Sequence, residues 1–206
     1  MKYKIVTNKD HLHRPTTPVQ TVEEGMEIAN KLIEALGEIK FGIGLSANQI
    51  GIPKSVSIIR AKKDEPPIIL INPSVVERGP EKVIYTEGCL SLPGKRSSTM
   101  RSTKVVVNTL NHANPIPFAA DISPVTNESV GSDVGLLETV CVQHEIDHLC
   151  GRLMIDDGIR VILPPKKAGT KYGRNDKVMI GRGEDTKYLK YKHALEFIEK
   201  EGWKLL

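Results

Sequence analysis

The sequence predicts an α+β fold. Short segments rich in β-branched residues lie close together between residues 41 and 110, separated by turns that contain Gly or Pro. A segment with helical spacing of apolar residues follows this run of strands late in the chain. There are no internal repeats, and the order of elements does not favour alternating βαβ units.

Composition and charge limit the class of protein. The chain has 206 residues, 39% of them hydrophobic and 26% charged, which predicts one domain with or without an appendage. No stretch approaches the roughly 20 apolar residues of a membrane helix, so no membrane association is expected. Three cysteines do not form a disulfide framework, and the N-terminal residues lack the apolar core of a secretory signal. We expect a cytoplasmic, monomeric protein.

The first helix is predicted over residues 21–36. Thr21 and Glu24 form a T-x-x-E capping box, and Gly37 is a suitable stop. Its apolar positions recur at helical spacing: Met26, Ala29, Leu32, Ile33 and Leu36.

Strands are predicted next, at Val56–Ile59, Ile68–Ile71, Val83–Tyr85 and Lys104–Thr109. Residues 111–131 carry three prolines and predict a long loop with room for one short strand. Ser132 or Asp133 can then cap a second helix that runs to about Leu149 and stops at Gly151.

The last part of the chain is basic. Residues 164–206 hold 11 Lys/Arg against 6 Asp/Glu, whereas the rest of the chain is close to neutral. We therefore predict a domain over residues 1–163 and a basic extension over residues 164–206 that ends in a helix from about Tyr188 to Lys200. A polyanionic partner such as RNA and a merely solvated surface helix both explain this charge.

The strongest chemical signal is the H-E-x-x-H pattern of residues 144–148 on the second helix. His144 and His148 lie four residues apart and share one helical face, so both imidazoles can reach one metal ion. Glu145 can act on a water molecule without being a ligand. Leu137 and Cys141 share this face as an apolar wall, whereas Asp147 is expected to be a structural hydrogen-bond or ion-pair partner.

Such a site needs a third ligand. Downstream, only Asp156 and Asp157 are near, whereas upstream Cys89 follows a glycine at the end of a predicted strand, where a thiolate is unobstructed. The glycine-rich segment of residues 42–51 matches no phosphate-binding motif. It contains Gln49, whose amide is a suitable donor to a developing oxyanion.

Three segments together resemble the signature motifs of the peptide deformylases: GIGLSANQIG, EGCLSLP and QHEIDHLCG, in this order. The resemblance covers about residues 10–160. It implies antiparallel sheets packed around a central helix that carries H-E-x-x-H. The implied reaction is the hydrolysis of the N-formyl group from formyl-methionyl nascent peptides, with release of formate.

The resemblance also assigns roles to residues. It implies one divalent metal ion, iron(II) in the cell with zinc, nickel or cobalt as substitutes, held by Cys89, His144 and His148. Glu145 is then the general acid and base, and Gln49 with the backbone N–H of Leu90 stabilises the oxyanion. The methionine pocket falls at Ile43, Leu137 and Cys141, and the main chain near Gly44 and Gly88 pairs with the peptide.

The chain also departs from the family pattern. Ser46-Ala47-Asn48 replaces the usual Ala-Ala-Pro before Gln49, and the 55 residues from Cys89 to His144 exceed the usual separation. In the basic extension, Gly173-Arg174-Asn175-Asp176 resembles the opening of the small zinc-binding SEC-C module, but the zinc-binding cysteines are missing. This extension is expected to be a degenerate, metal-free appendage.

Two other functions remain open at this point. A zinc endopeptidase would use the same helix with a third ligand downstream. A ribosome- or RNA-associated binding protein with a vestigial site would use the basic extension. The intact set of Gln49, Cys89, His144, Glu145 and His148 argues against decay, and a deformylase could itself bind the ribosome through this extension.

Overall fold

The computed structural model describes residues 3–61, 65–119, 134–156, 177–182, 185–202 and 204–205. The chain divides into two compact units, Met1–Ile159 and Arg160–Leu206. The domain boundary expected between residues 163 and 164 lies outside the described residues.

The first unit contains the helices α1 (Lys9–Leu12), α2 (Val22–Gly37) and α3 (Val134–Leu149). Helix α2 begins as predicted, because the Thr21 hydroxyl oxygen accepts the N–H of Glu24 at 3.2 Å. The Glu24 carboxylate accepts the N–H of Gln20 at 2.8 Å, so it satisfies the donor one residue before the helix cap. Residues 132 and 133, the predicted caps of α3, lie outside the described residues.

Three small antiparallel sheets lie in the described part of this unit. Their strands are β1 (Gly44–Ser46), β2 (Val56–Ile59), β3 (Ile68–Ile71), β4 (Ser74–Arg78), β5 (Lys82–Gly88), β6 (Arg96–Ser102), β7 (Lys104–Asn108) and β8 (Ile116–Ala119). The strand orders are β1-β2-β3, β4-β7-β8 and β5-β6. The α+β prediction is confirmed, as are the bounds of β2 and β3.

The sequence prediction missed β1, β4 and β6. Strand β6 has the sequence RSSTMRS, which carries no apolar alternation, and its inward side chains Thr99 and Arg101 are polar. These two side chains are buried because both donate hydrogen bonds to Glu87 on β5. Polar strand faces of this kind are stable only when such partners exist, and hydrophobic patterning does not detect them.

Helix α3 is buried over most of its length. Its apolar residues Cys141, Val142 and Ile146 pack into one cluster with Ile59, Leu70, Val105, Val107 and Phe118 from the surrounding strands. Six polar side chains of the same helix are also buried: Thr139, Gln143, His144, Glu145, Asp147 and His148. Burying six such groups is costly without partners, so the helix itself and the fold around it must supply them.

The second unit contains β9 (Lys177–Arg182), β10 (Asp185–Lys190), α4 (Tyr191–Glu201) and β11 (Lys204–Leu205). Its antiparallel strand order is β10-β9-β11. The predicted start of the last helix at Tyr188 is wrong, because Tyr188 pairs with Met179 in the sheet. Among the described residues, no helix is long and apolar enough to cross a membrane.

Candidate active site

Two elements bring together three side chains with metal-ligating atoms. Helix α3 carries His144 and His148, and Cys89 follows directly after β5. The three ligand atoms lie within 4.8 Å of one another. Cys89 Sγ is 3.2 Å from His148 Nε2, and the two imidazole rings are 4.9 Å apart at 78°. One thiolate and two imidazoles form a donor set that fits a divalent transition-metal ion.

Glu87 orients the first of these imidazoles. Its Oε2 lies 2.6 Å from His144 Nδ1, which leaves His144 Nε2 on the side of Cys89 and His148. Arg101 Nε donates to the same carboxylate at 2.6 Å, and Thr99 also donates to it. Burial raises the pKa of Glu87, but the hydrogen bonds from His144 and Arg101 outweigh it and lower this pKa to about 2.

The two histidines have opposite electrostatic environments. Burial lowers the pKa of His144, but hydrogen bonds with Cys89 and Glu87 outweigh it and raise this pKa to about 10. Burial together with the charge on His144 lowers the pKa of His148 well below its ordinary value. The site therefore stabilises positive charge between Glu87 and Cys89, which suits a cation.

Glu145 lies in direct contact with the first strand. Ser46 Oγ donates to Glu145 Oε2 at 2.6 Å. Burial raises the pKa of Glu145, while the His144 charge and the Ser46 hydrogen bond lower it by less. A Cβ atom at Gly44 would lie 2.5 Å from Glu145 Oε1 and 2.6 Å from Cys141 Sγ. The glycine at this position is therefore required for the close approach of the carboxylate.

Gln49 is fixed in orientation by a hydrogen bond at each end of its amide. It lies in a short 3₁₀ turn, Ala47–Ile50, directly after β1. The N–H of Ser46 donates to Gln49 Oε1 at 2.9 Å. Gln49 Nε2 donates to Ser91 Oγ at 3.1 Å and lies 3.7 Å from Cys89 Sγ. The donor end of the amide therefore faces the ligand cluster, which consists of Cys89, His144 and His148.

A cavity of about 510 Å³ opens beside this cluster. Among the residues that line it are most of those predicted from the sequence: Ile43, Gly44, Gln49, Gly88, Cys89, Leu90, Leu137, Cys141, His144 and Glu145. His148 lies deeper and does not line it. At Gly88 a Cβ atom would meet nothing within 4 Å, so packing does not require that glycine.

Sequence reasoning missed several polar contacts of this site. Glu87 lies two residues before Cys89 in the sequence, and a carboxylate is one of the usual acceptors for the second nitrogen of a histidine ligand, so a weak signal was present. Arg101 had no signal, because it lies on the polar strand β6. Asn48 Nδ2 donates to the backbone oxygen of His148 at 2.7 Å. Asp147 accepts hydrogen bonds from Arg101 and Arg152, which is the structural role expected for it.

A buried H-E-x-x-H helix with a facing cysteine, a carboxylate and an amide donor beside an open cavity defines a class, the metal-dependent hydrolases of amide bonds. The family model described as "Polypeptide deformylase" matches residues 2–161. The chain belongs to the polypeptide deformylase family.

Curated and solved relatives agree with this family. The chain is 34% identical over 158 residues to a peptide deformylase of Aquifex aeolicus, which covers 74% of this chain and 84% of the relative. A solved peptide deformylase of Thermotoga maritima matches with a TM-score of 0.60 and 28% identity, covering 76% of this chain and 97% of that one. A probable peptide deformylase of Synechococcus phage S-SSM7 matches with a TM-score of 0.61 and 28% identity, covering 75% and 99% of the two chains.

Proposed function

We propose that this chain removes the N-formyl group from formyl-methionyl peptides by hydrolysis, releasing formate. The observation that carries the proposal is the meeting of Cys89, His144 and His148 beside Glu145 and Gln49 at one cavity. The third ligand atom comes from Cys89, upstream of α3. An endopeptidase of the kind considered above would place that ligand downstream.

We assign the metal ligands to Cys89, His144 and His148. A divalent ion held by them would supply Lewis acidity, which polarises a carbonyl group and lowers the pKa of a water molecule. Iron(II) is our proposal for the ion in the cell, as the resemblance to the family implies, with zinc, nickel and cobalt as substitutes. The thiolate ligand makes an iron(II) site sensitive to oxygen, since both iron and sulfur can be oxidised.

Glu145 is assigned the proton transfers. Its carboxylate takes a proton from the attacking water and later delivers it to the amine nitrogen of the leaving peptide. The C–N bond of the formamide breaks, so one water molecule and one formyl peptide give formate and a free amine. Burial raises the pKa of Glu145, which favours its taking up a proton and so supports this role.

Gln49 and Leu90 are assigned the stabilisation of charge. As water adds to the formyl carbon, negative charge develops on the formyl oxygen. The Gln49 amide and the backbone N–H of Leu90 are proposed to donate to it. The support is the fixed orientation of the Gln49 amide, which needs no reorganisation during the reaction.

The methionine side chain is proposed to bind against Ile43, Leu137 and Cys141, which line the cavity beside Glu145. The peptide backbone is proposed to pair with the main chain near Gly44 and Gly88. Gly88 tolerates such an approach because it has no side chain in the open part of the cavity.

The decisive experiment measures formate release from a short formyl-methionyl peptide by anaerobically prepared, nickel-loaded protein. We expect Glu145→Ala to lower kcat by about 100- to 10,000-fold, the usual contribution of a general acid and base. Glu138→Ala is the matched control, because Glu138 lies on the same helix and does not line the cavity. A metal-loaded wild-type protein that releases no formate would refute the proposal.

We assign residues 1–163 to the catalytic domain and residues 164–206 to a basic extension, a degenerate SEC-C-like appendage that binds the ribosome. We further propose that the protein is a cytoplasmic monomer. The charge of the extension supports the ribosome assignment, because nascent formylated chains emerge where ribosomal RNA is the dominant polyanion.

A further inference from the structure

A serine in the first strand contacts the proposed general base. Ser46 Oγ lies 2.6 Å from Glu145 Oε2 and 3.1 Å from the backbone oxygen of Glu145. Ser46 is fully buried, and Glu145 is 3% exposed. Water therefore has little access to replace this contact.

The hydroxyl has one proton and two acceptors within reach. The carboxylate oxygen is nearer by half an ångström, and a charged acceptor forms the stronger bond. We therefore take Glu145 Oε2 as the principal acceptor. The bond restrains one carboxylate oxygen, while Oε1 lies beside Gly44, which also lines the cavity.

The backbone of the same residue holds a second proposed catalytic group. The N–H of Ser46 donates to Gln49 Oε1, which turns Gln49 Nε2 toward Cys89. Ser46 thus contacts both the proposed base and the proposed oxyanion donor, through two different groups.

We propose that Ser46 is a positioning residue, whose hydroxyl holds the Glu145 carboxylate in the orientation needed for proton transfer. This inference rests on the proposed function, because it assigns Glu145 its role. Ser46→Ala removes the hydroxyl contact to Glu145 and keeps the Ser46 N–H that donates to Gln49 Oε1.

The chain offers a matched control for this substitution. Ser57 on β2 is the cross-strand partner of Ser46, and it is also fully buried. Its Oγ has no hydrogen-bond partner in the described part of the chain. Ser57→Ala therefore repeats the same chemical change in the same sheet without removing a contact to the site.

The experiment compares wild type, Ser46→Ala, Ser46→Thr and Ser57→Ala, each loaded with nickel and checked for bound metal. We expect Ser46→Ala to lower kcat about tenfold, the usual effect of losing a hydrogen bond to a charged group, with KM and metal content unchanged. Ser57→Ala should keep the wild-type kcat. Ser46→Thr keeps a hydroxyl and should therefore keep most of the wild-type kcat.

Crystal structures of the variants give a readout independent of activity. We expect the Glu145 carboxylate to be displaced or to adopt a second rotamer in Ser46→Ala, and to stay in place in Ser57→Ala. An unchanged kcat in Ser46→Ala, an equal loss in Ser57→Ala, or a loss explained by missing metal would overturn the inference. If the wild type released no formate, the proposed function would fail, while the carboxylate position would still decide the role of Ser46.

Discussion

At the scale of single residues, the site depends on where a side chain is missing as much as on where one is present. Gly44 has a backbone that other residues could adopt, since its φ is not positive. What excludes a side chain there is space, because Glu145 Oε1 and Cys141 Sγ both occupy the place of a Cβ atom. The glycine at position 44 is therefore explained by close packing against α3.

Gly44→Ala is expected to displace the Glu145 carboxylate and lower kcat/KM about 100-fold, since a misplacement near 1 Å in a catalytic group can have this effect. The loss of kcat/KM is measured as the rate of formate release. The control is Gly37→Ala, because a Cβ atom at the end of α2 would meet nothing within 4 Å. Equal kcat/KM values in wild type and Gly44→Ala would show that the carboxylate has room to move without loss.

At the scale of elements, the β5–β6 hairpin is joined to α3 by charged groups rather than by apolar packing alone. Glu87 on β5 contacts His144, and Arg101 on β6 contacts both Glu87 and Asp147. These groups are nearly excluded from water, so each is stable only while its partners remain. Removing one of them should loosen the hairpin and the ligand set together.

This arrangement predicts a pH-dependent stability for the metal-free protein. The pKa of Glu87 is lowered from 4.5 to about 2 in the folded state. Its stabilising contribution is therefore complete above pH 4.5 and is lost as the pH falls toward 2. Glu87→Gln should lower the free energy of unfolding at pH 7 by roughly 3 kcal/mol, and the difference from wild type should shrink below pH 4.5.

Denaturant unfolding of the metal-free proteins between pH 7 and pH 3 measures this difference. Glu77→Gln is the control, because the exposed Glu77–Lys104 ion pair should contribute less than about 1 kcal/mol. A difference between wild type and Glu87→Gln that stays constant over this pH range would contradict the assigned pKa.

The sequence could predict the elements that follow from local patterns, but not the contacts between side chains that are distant in the chain. Helix α2 and strands β2 and β3 follow from apolar periodicity and caps, which are local signals. The convergence of Cys89 with α3 followed from ligand chemistry together with the family motifs. The contacts of Arg101 with Asp147, of Ser46 with Glu145 and of Asn48 with His148 join residues that are between 46 and 100 positions apart in the chain. No local pattern carries that information.

At the scale of the whole molecule, charge and chemistry are assigned to different parts of the chain. The proposed site lies within residues 42–148, whereas the surplus of positive charge lies in residues 164–206. If the extension binds ribosomal RNA, its affinity must fall with salt, because each phosphate that a lysine or arginine neutralises releases counterions. Formate release from a short free peptide has no such dependence on salt.

We therefore expect Lys190→Gln with Lys192→Gln to weaken ribosome binding and to reduce the slope of log affinity against log salt by about 0.7 to 0.9 for each phosphate that is no longer neutralised. Both lysines are exposed near the start of α4. Lys9→Gln with Lys31→Gln removes the same charge from exposed positions of the first unit and serves as the control. Equal salt slopes for the two double variants would leave the extension without a role in RNA binding. Weaker ribosome binding in the Lys190/Lys192 variant alone, with unchanged formate release, would separate recruitment from catalysis.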